Sequence, residues 1–486
     1  MAALARSMQV EDAAHLLRRA GFGGTPDQIA HFVSIGSAAA TNEVLNYENT
    51  PFDFDDDALL ERLLITMPER IRGGNLQIPV QAIRLWWTYR LLTTPRPLEE
   101  KMVLFWHNHF TSKDDDGLLM LRQNQLYRTH ALGNFRTLAL AVSRDPEMLR
   151  YLNGNQNYRA HPNENYAREL MELFTCGRVD PSGKPNYTED DIKASARAFS
   201  GWNLRDEKFY FNPNQHDDTT KTFMGRTGNF NGDDIVDILV SLPATAAYVC
   251  TKLFRYFAYE DPDQYVVREL VRVYYASGYS IREVVSTIFR SDAFWSPKAQ
   301  FALFKSPADY VVGAVRVAGL TDLFAPPLEQ IVDDEDPAAR GRRGPSPLAR
   351  LNALTNAMRS MGQQLFAPET VKGWDGGRKW ISTDTLQARA RFANTISQLP
   401  AVIDTLAGAL PYAPGAQAQS RTAAFAPASG DPAALVDTIL RRMGPLTVSR
   451  QSYDALVAYA RTETDPRPRL SGVFSLVLGT PEYQMA

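Results

Sequence analysis

The sequence is poor in several features that mark common classes of protein. It has only two cysteines, Cys176 and Cys250, which excludes the disulfide framework of a small secreted domain. No run of about 18 uncharged apolar residues occurs, so no membrane-spanning helix is predicted. No tail carries a basic block, and 52 Lys+Arg stand against 55 Asp+Glu. The charge pattern therefore gives no sign of a nucleic-acid partner.

What is present fits a globular protein with a large core. Apolar residues make up 44% of the 486 residues and charged residues 22%, a length that suits one large domain or about two to three ordinary ones. The first residues lack the apolar segment of a secretory signal, because Glu11, Asp12 and Arg18 interrupt it. A cytoplasmic location is therefore expected.

Most of the chain shows helical periodicity. Thr188 precedes the acidic run Glu189-Asp190-Asp191, which is typical of a helix start. Ser280, followed by Glu283 and an apolar run, forms a capping-box pattern. Alternation of apolar and polar residues at period two is scarce. The sequence therefore predicts a mainly α fold, a multi-helix body with long irregular loops.

Three stretches interrupt the helical pattern. Residues 203–232 are rich in asparagine and glycine, and predict a long loop or a small hairpin region. Residues 324–348 combine proline, glycine and charge, and 411–432 have a similar character. We therefore predict a main helical body over 1–323, a connection over 324–348, and a C-terminal helical part over 349–486 that packs on the body.

Two histidines lie close together in residues 104–110, which read LFWHNHF. Histidine is a common ligand of transition metals, so His107 and His109 are candidate metal ligands. Side chains two residues apart on a helix point about 200° apart, whereas in an extended chain they share a face. A chelating pair therefore requires the helix to end or unwind near His109. The alternative is one buried and one exposed histidine beside Trp106.

Residues 162–177 predict a helix of about three turns, with an asparagine at its start and a glycine at its end. Glu169 and Glu172 share a polar stripe beside an apolar one, as helices of a bundle present carboxylates to metals. The alternative is a surface role, in which Glu164 lies at the positive end of the helix and Arg168 pairs with Glu172.

An imidazole and a carboxylate lie side by side at His216 and Asp217, within the irregular stretch 203–232. Such a pair can serve as a metal ligand and its hydrogen-bonded support, or as a general base and its support. The alternative is a hydrated histidine in a loop.

Six segments follow one another along the chain: DAAHLLRRAGFG (12–23), LFWHNHFTS (104–112), PNENYARELMELFTCG (162–177), YTEDDIKASARAFSGW (187–202), HDDTTK (216–221) and MGQQLFAPETVKGW (361–374). Together they resemble a large bacterial family, the domain of unknown function 1800. The resemblance covers nearly the whole chain and implies a mostly helical fold. Many members of that family carry export signals that this sequence lacks, which favours an intracellular role here.

The resemblance also implies that the polar residues above fall on motif positions of the family, and we predict that they form a metal site. The predicted metal ligands are His107, His109, Glu164, Glu169 and His216, and the predicted catalytic residues are Asp217 and Arg168. Mixed nitrogen and oxygen ligands favour a transition metal over calcium. Iron or copper is favoured as the cofactor, and manganese and zinc remain open.

The predicted function is a metal-dependent enzyme, an oxygen-activating oxidoreductase of the hydroxylase or oxidase type. The aromatic residues Phe105, Trp106 and Phe110 favour oxidation because they offer an apolar shell. The expected substrate is a peptide or another bulky metabolite; a protein partner stays open, and no nucleic-acid or membrane partner is expected. One alternative is a helical interaction or scaffold protein with buried polar networks. Another is a metal-dependent hydrolase, in which zinc polarises water.

Overall fold

The computed structural model describes residues 7–67, 70–72, 75–114, 116–331, 345–408 and 431–486. Helices account for 62% of the structure and strands for 6%, which confirms the mainly α fold. Much of the predicted connection 324–348, and nearly all of the stretch 411–432, lies outside the described residues. The division into a body over 1–323 and a part over 349–486 therefore stays a prediction.

The helices are numbered in chain order. Helices α1 to α11 are Val10–Arg19, Pro26–Leu45, Asp56–Thr66, Val80–Thr93, Pro97–His109, Gly117–Thr129, Phe135–Ser143, Pro146–Tyr151, Asn165–Glu169, Glu189–Phe199 and Gly232–Val240. Helices α12 to α22 are Pro243–Phe257, Gln264–Ala276, Ile281–Arg290, Pro307–Val317, Thr321–Phe324, Pro347–Ser360, Thr383–Ser397, Pro400–Gly408, Pro432–Arg442, Arg450–Thr462 and Pro466–Gly479.

Two predicted helix starts are confirmed with their caps. The Thr188 hydroxyl accepts a hydrogen bond from the Asp191 backbone N–H at 3.2 Å, and the Asp191 carboxylate accepts one from the Thr188 N–H at 2.9 Å. The Ser280 hydroxyl accepts from the Glu283 N–H at the start of α14. Each cap satisfies backbone donors that the first helical turn leaves without a partner.

The predicted helix over 162–177 forms, but with a different internal geometry. Asn163 accepts from the Asn165 N–H, and α9 covers only Asn165–Glu169. A turn of π-helix, Leu170–Phe174, follows directly. Because a π turn holds an extra residue, the polar stripe expected from a regular α-helix is not continuous through Glu172.

The strands of the described residues form three antiparallel hairpins. The strands are β1 Arg70–Arg72, β2 Asn75–Gln77, β3 Trp202–Arg205, β4 Lys208–Phe211, β5 Lys221–Phe223 and β6 Arg226–Gly228. Trp202 pairs with Phe211, and Lys221 pairs with Gly228. Two of the hairpins lie within residues 202–228, where the sequence predicted a long loop or a small hairpin region.

The apolar core centres on α4 and α5. Helix α4 is apolar on nearly all sides and packs against α3, α6, α15 and α17. The same connected core takes in residues from Met8 to Tyr483, and α18 packs along α22 near the C-terminal end of the chain. Helices on both sides of residues 332–344 therefore contribute to one core.

A buried ion cluster joins α4, α5 and α6 around Glu100. Its carboxylate is fully buried and accepts from Arg90 Nε at 2.7 Å, from Arg128 Nε at 2.7 Å and from the Trp87 indole at 2.8 Å. Burial alone would raise the pKa of Glu100, but Arg128 and Arg90 outweigh it and lower the pKa to about 2. The charge is therefore compensated inside the core.

Within the described ranges, no single helix is both long and apolar enough to cross a membrane. One bent helix pair, Gly232–Val240 with Pro243–Phe257, meets the criterion by length and composition only.

Candidate functional site

The two histidines of residues 104–110 lie on different sides of α5. The helix continues to His109, so the side chains of His107 and His109 point apart and do not chelate one ion. The Trp106 indole N–H between them donates to the Ala131 carbonyl at 2.9 Å, which fixes this end of α5 against the turn after α6.

His107 occupies an aromatic cage. Its side chain is 1% exposed, and neither ring nitrogen has a hydrogen-bond partner among the described residues. The ring centres of Trp87, Phe366 and Trp374 lie 5.6, 5.5 and 5.2 Å away. Burial lowers the pKa of His107 to about 3, so the imidazole is neutral.

One ring nitrogen of His109 makes a hydrogen bond, and the other has no partner among the described residues. Its Nε2 lies 3.0 Å from the Phe174 carbonyl oxygen. Since a carbonyl only accepts, Nε2 carries the proton, and Nδ1 keeps its lone pair. Nδ1 is buried and has no hydrogen-bond partner in the described part of the chain. Burial and nearby Lys252 hold the pKa of His109 well below its usual range, so the imidazole is neutral.

A cavity of about 530 Å³ lies beside His109, and α1, α5, α12 and the loops around residues 303–309 and 373–380 form its wall. The aromatic lining residues are Phe105, Tyr256, Phe304, Trp374 and Trp380. The charged lining residues are Arg18, Arg19, Lys101, Lys252, Arg255, Glu260, Asp261 and Asp309. This volume and this mixed lining are typical of a site for a small organic ligand.

Some of the cations on this wall already have partners. Lys101 Nζ lies 2.6 Å from an Asp309 carboxylate oxygen, and Arg19 donates to two backbone carbonyls at 2.6 and 3.0 Å. Arg18 differs: its guanidinium lies 4.2 Å from the Phe301 ring centre and makes no hydrogen bond to any described residue. Burial lowers the pKa of Arg18 to about 10, which marks a desolvated cation.

Lys252 is the second cation without a counter-ion. Its Nζ lies 5.3 Å from the Tyr248 ring centre and makes no hydrogen bond or ion pair within the described residues. Burial alone lowers the pKa of Lys252 to about 8. Arg18 belongs to α1 and Lys252 to α12, so the two cations reach the cavity from different helices.

The end of α5 also fixes the tryptophan loop of the cavity. The Asn108 side-chain oxygen accepts from the Trp374 backbone N–H at 2.6 Å. Gly373 has a φ of +92° and packs so tightly that an added Cβ would lie 2.5 Å from the Asn108 carbonyl oxygen. Only glycine adopts this backbone without strain. The segments 104–112 and 361–374 therefore meet at the cavity wall.

The model of one protein family, described as "Protein of unknown function (DUF1800)", matches residues 15–485. The chain belongs to the DUF1800 family. This confirms the resemblance seen in the sequence, over nearly its whole length. Searches among curated proteins and among solved structures each found no significant match.

In this DUF1800 chain, the two predicted acidic ligands Glu164 and Glu169 have different surroundings. Arg168 pairs with Glu164 at 3.1 Å and with Glu189 at 3.0 Å, and both pairs are partly or fully exposed. Glu169 is half-buried; burial raises its pKa, and Lys372 partly opposes the rise. Glu164 and Arg168 thus belong to a surface ion pair, whereas Glu169 is partly inside the protein.

His216 and Asp217 fasten their segment to the end of α10. His216 Nδ1 donates to the Ser200 carbonyl at 2.8 Å, and the Asp217 carboxylate accepts from Arg197 Nε at 2.7 Å. Asp217 also accepts from the Thr219 hydroxyl. Burial opposes ionisation of Asp217, but these hydrogen bonds outweigh it and hold its pKa well below its usual range.

The five predicted metal ligands are all described residues, and they do not gather at one point. Throughout the described ranges, no group of three or more His, Cys, Asp or Glu side chains could hold a metal ion. His107 lies in its cage, His109 faces the cavity, and His216 is bonded at the end of α10. In the described part of the chain, the predicted ligands therefore do not form a metal site for the predicted cofactor.

Arg18 and Lys252, which the sequence reasoning did not select, are cations on the cavity wall that make neither a hydrogen bond nor an ion pair with any described residue. The available signal was a cation within an apolar helical run. Arg18 follows the run AAHLL in α1, and Lys252 lies in AAYVCTKLF of α12. A long cation at such a position can also reach solvent with its charged end, so the pattern alone does not identify a pocket.

Proposed function

We propose that this DUF1800 protein is an enzyme whose active site is the basic cavity, and that it acts on a small carboxylate with an apolar or aromatic body. The observation that carries the proposal is a cavity wall that holds both the neutral His109, whose Nδ1 has no hydrogen-bond partner among the described residues, and Lys252, whose amine makes no ion pair with them. A base with a fixed tautomer and a cation on the same wall form a useful pair for proton transfer.

The charge pattern selects the substrate class. A buried cation without a counter-ion is costly, and a bound anion relieves that cost. Arg18 offers the planar donor geometry that suits a carboxylate. Phosphate groups are usually held by several donors at once, and Arg18 and Lys252 come from different helices, so a single carboxylate at Arg18 fits better. Trp374 and Trp380 supply the apolar surface for the rest of the molecule.

The oxygen-activating oxidoreductase expected from the sequence is less well supported. Its ligand set does not converge, and His107, its central member, is enclosed by aromatic rings. The described residues therefore do not supply the ligands that a reaction at the predicted metal site would need. The scaffold alternative draws support from the Glu100 cluster, which needs no catalytic explanation, but it does not explain two unpaired cations on a cavity wall.

Ligand binding tests the proposal directly. We expect 4-methylbenzoate to change the tryptophan fluorescence, because two indoles line the cavity. The uncharged 4-methylbenzamide should bind at least about tenfold more weakly, which corresponds to about 1.4 kcal/mol of binding free energy. Arg18→Met should weaken binding of the acid by a similar factor. The exposed Arg178→Met, which lies off the cavity, is the matched control. Equal binding of acid and amide, or binding of neither, would overturn the proposal.

A further inference from the structure

The amine of Lys252 is placed as a reacting group would be. It lies on the wall of the cavity with no carboxylate, hydroxyl or carbonyl partner among the described residues. The other lysine on that wall, Lys101, is held by Asp309 at 2.6 Å. An amine that serves only to stabilise the fold would be expected to carry such a partner.

His109 is the neighbouring group able to move a proton. Its Nε2 is held by Phe174, so the ring cannot turn without breaking a hydrogen bond. Nδ1, which has no hydrogen-bond partner among the described residues, is the acceptor, and His109 and Lys252 line the same cavity. The Tyr248 ring centre lies 5.3 Å from the Lys252 ammonium nitrogen and covers one side of it.

We propose that Lys252 forms an imine with the carbonyl group of an oxo acid bound in the cavity; this rests on the proposed function and names its substrate class. The carboxylate of the oxo acid binds at Arg18, and its carbonyl carbon lies at Lys252. Because Arg18 and Lys252 reach the cavity from different helices, α1 and α12, the acid carries its carbonyl and its carboxylate on separate ends of an apolar body.

The chemistry balances without a further reactant. The neutral amine of Lys252 attacks the carbonyl carbon, a C–N bond forms, and the carbonyl π electrons move to oxygen. His109 Nδ1 carries two protons in turn from the nitrogen to the former carbonyl oxygen. The first converts the alkoxide into a hydroxyl, and the second lets that hydroxyl leave as water while the nitrogen lone pair forms the C=N bond. The products are an imine and water, and no atom changes oxidation state.

Reductive trapping tests this assignment. The full chain is incubated with 4-formylbenzoate and cyanoborohydride, which reduces an imine to a stable secondary amine, and the modified lysine is located by peptide mass spectrometry. We expect saturable modification at Lys252 well above that at the exposed Lys184. Lys252→Arg keeps the charge but removes the attacking amine, and should abolish the adduct; Lys184→Arg should leave it unchanged. His109→Gln should slow trapping at least about tenfold.

Binding of 4-methylbenzoate, which has no carbonyl carbon to trap, separates the two proposals. Binding of this acid together with modification of lysines only in proportion to their exposure would overturn the imine and leave the proposed function standing. Failure of the acid to bind, with no selective modification, would overturn both. Circular dichroism of each variant excludes loss of the fold as the cause of a lost adduct.

Discussion

Substitution of Gly373 by alanine tests how the tryptophan loop is attached to α5. The added Cβ meets the Asn108 carbonyl oxygen at 2.5 Å and its side-chain oxygen even closer, while φ is +92°. The unusual backbone costs a side chain about 1–3 kcal/mol, and the crowding costs about 1–3 kcal/mol more. If the loop moves to relieve the contact, the 2.6 Å hydrogen bond from Trp374 to Asn108 is lost instead.

Gly183→Ala is the matched control for this prediction. Gly183 has a φ of +86° and nothing within 4 Å of the position of an added Cβ. The backbone cost is thus shared, and the difference between the two variants isolates the contact. We expect Gly373→Ala to lower the free energy of unfolding by about 1–3 kcal/mol more than Gly183→Ala in urea titrations. It should also weaken binding of 4-methylbenzoate. Equal losses in the two variants would refute the attachment.

Three other substitutions test buried groups that do not line the cavity. Glu100→Gln should lower the free energy of unfolding by about 3–5 kcal/mol, because it leaves Arg128 without its ion-pair partner and removes the closest of the three carboxylates that pair with Arg90. Glu147→Gln should flatten the pH dependence of stability. Burial raises the pKa of Glu147 from 4.5 to about 9. The folded wild type therefore loses stability as pH rises from 4.5 to about 9, by up to about 1.4 kcal/mol per pH unit. His107→Phe should change stability by no more than about 1 kcal/mol, because neither ring nitrogen has a partner.

Each of these has its own contrary result. Asp454→Asn, at an exposed ion pair with Arg450, is the control for Glu100→Gln and should cost less than about 1 kcal/mol; equal costs would contradict a buried cluster. Parallel pH profiles for the wild type and Glu147→Gln would contradict a protonated Glu147. A loss of several kcal/mol in His107→Phe, measured in urea, would show that the imidazole has a partner.

The fold was largely predictable because helix ends are local. Thr188 and Ser280 cap their helices through residues three positions away, a distance that the sequence shows directly. The π turn Leu170–Phe174 was not predictable, because its extra residue has no marker in the local pattern. The hairpin β3–β4 turns at Asp206 and Glu207, both at positive φ, where a glycine or asparagine signal is absent.

The site was less predictable because it depends on long-range contacts. The spacing of His107 and His109 allowed two outcomes, and the continuation of α5 decided between them. The cavity joins residues as distant as Arg18, Lys252 and Trp374, and no local pattern brings these together. The prediction also treated motif polarity as a sign of a metal site. Asp217, predicted as a catalytic residue, uses its carboxylate to attach a loop, and Asn108, which was not selected, does the same with its side-chain oxygen. A sequence does not distinguish this role from catalysis.

The unpaired amine of Lys252 gives the last prediction, in which stability and function change in opposite directions. Burial lowers its pKa from 10.5 to about 8, so the charged form destabilises the fold below pH 8, and the penalty disappears as pH rises from 8 to 10.5. That shift corresponds to at most about 3 kcal/mol at neutral pH. Lys252→Met should therefore raise the unfolding free energy at pH 7 more than at pH 10, while abolishing imine trapping. Lys184→Met, at an exposed position, should change neither property. A group kept at such a cost to the fold is best explained by chemistry in the cavity, and a loss of stability in Lys252→Met at pH 7 would show instead that its charge is compensated.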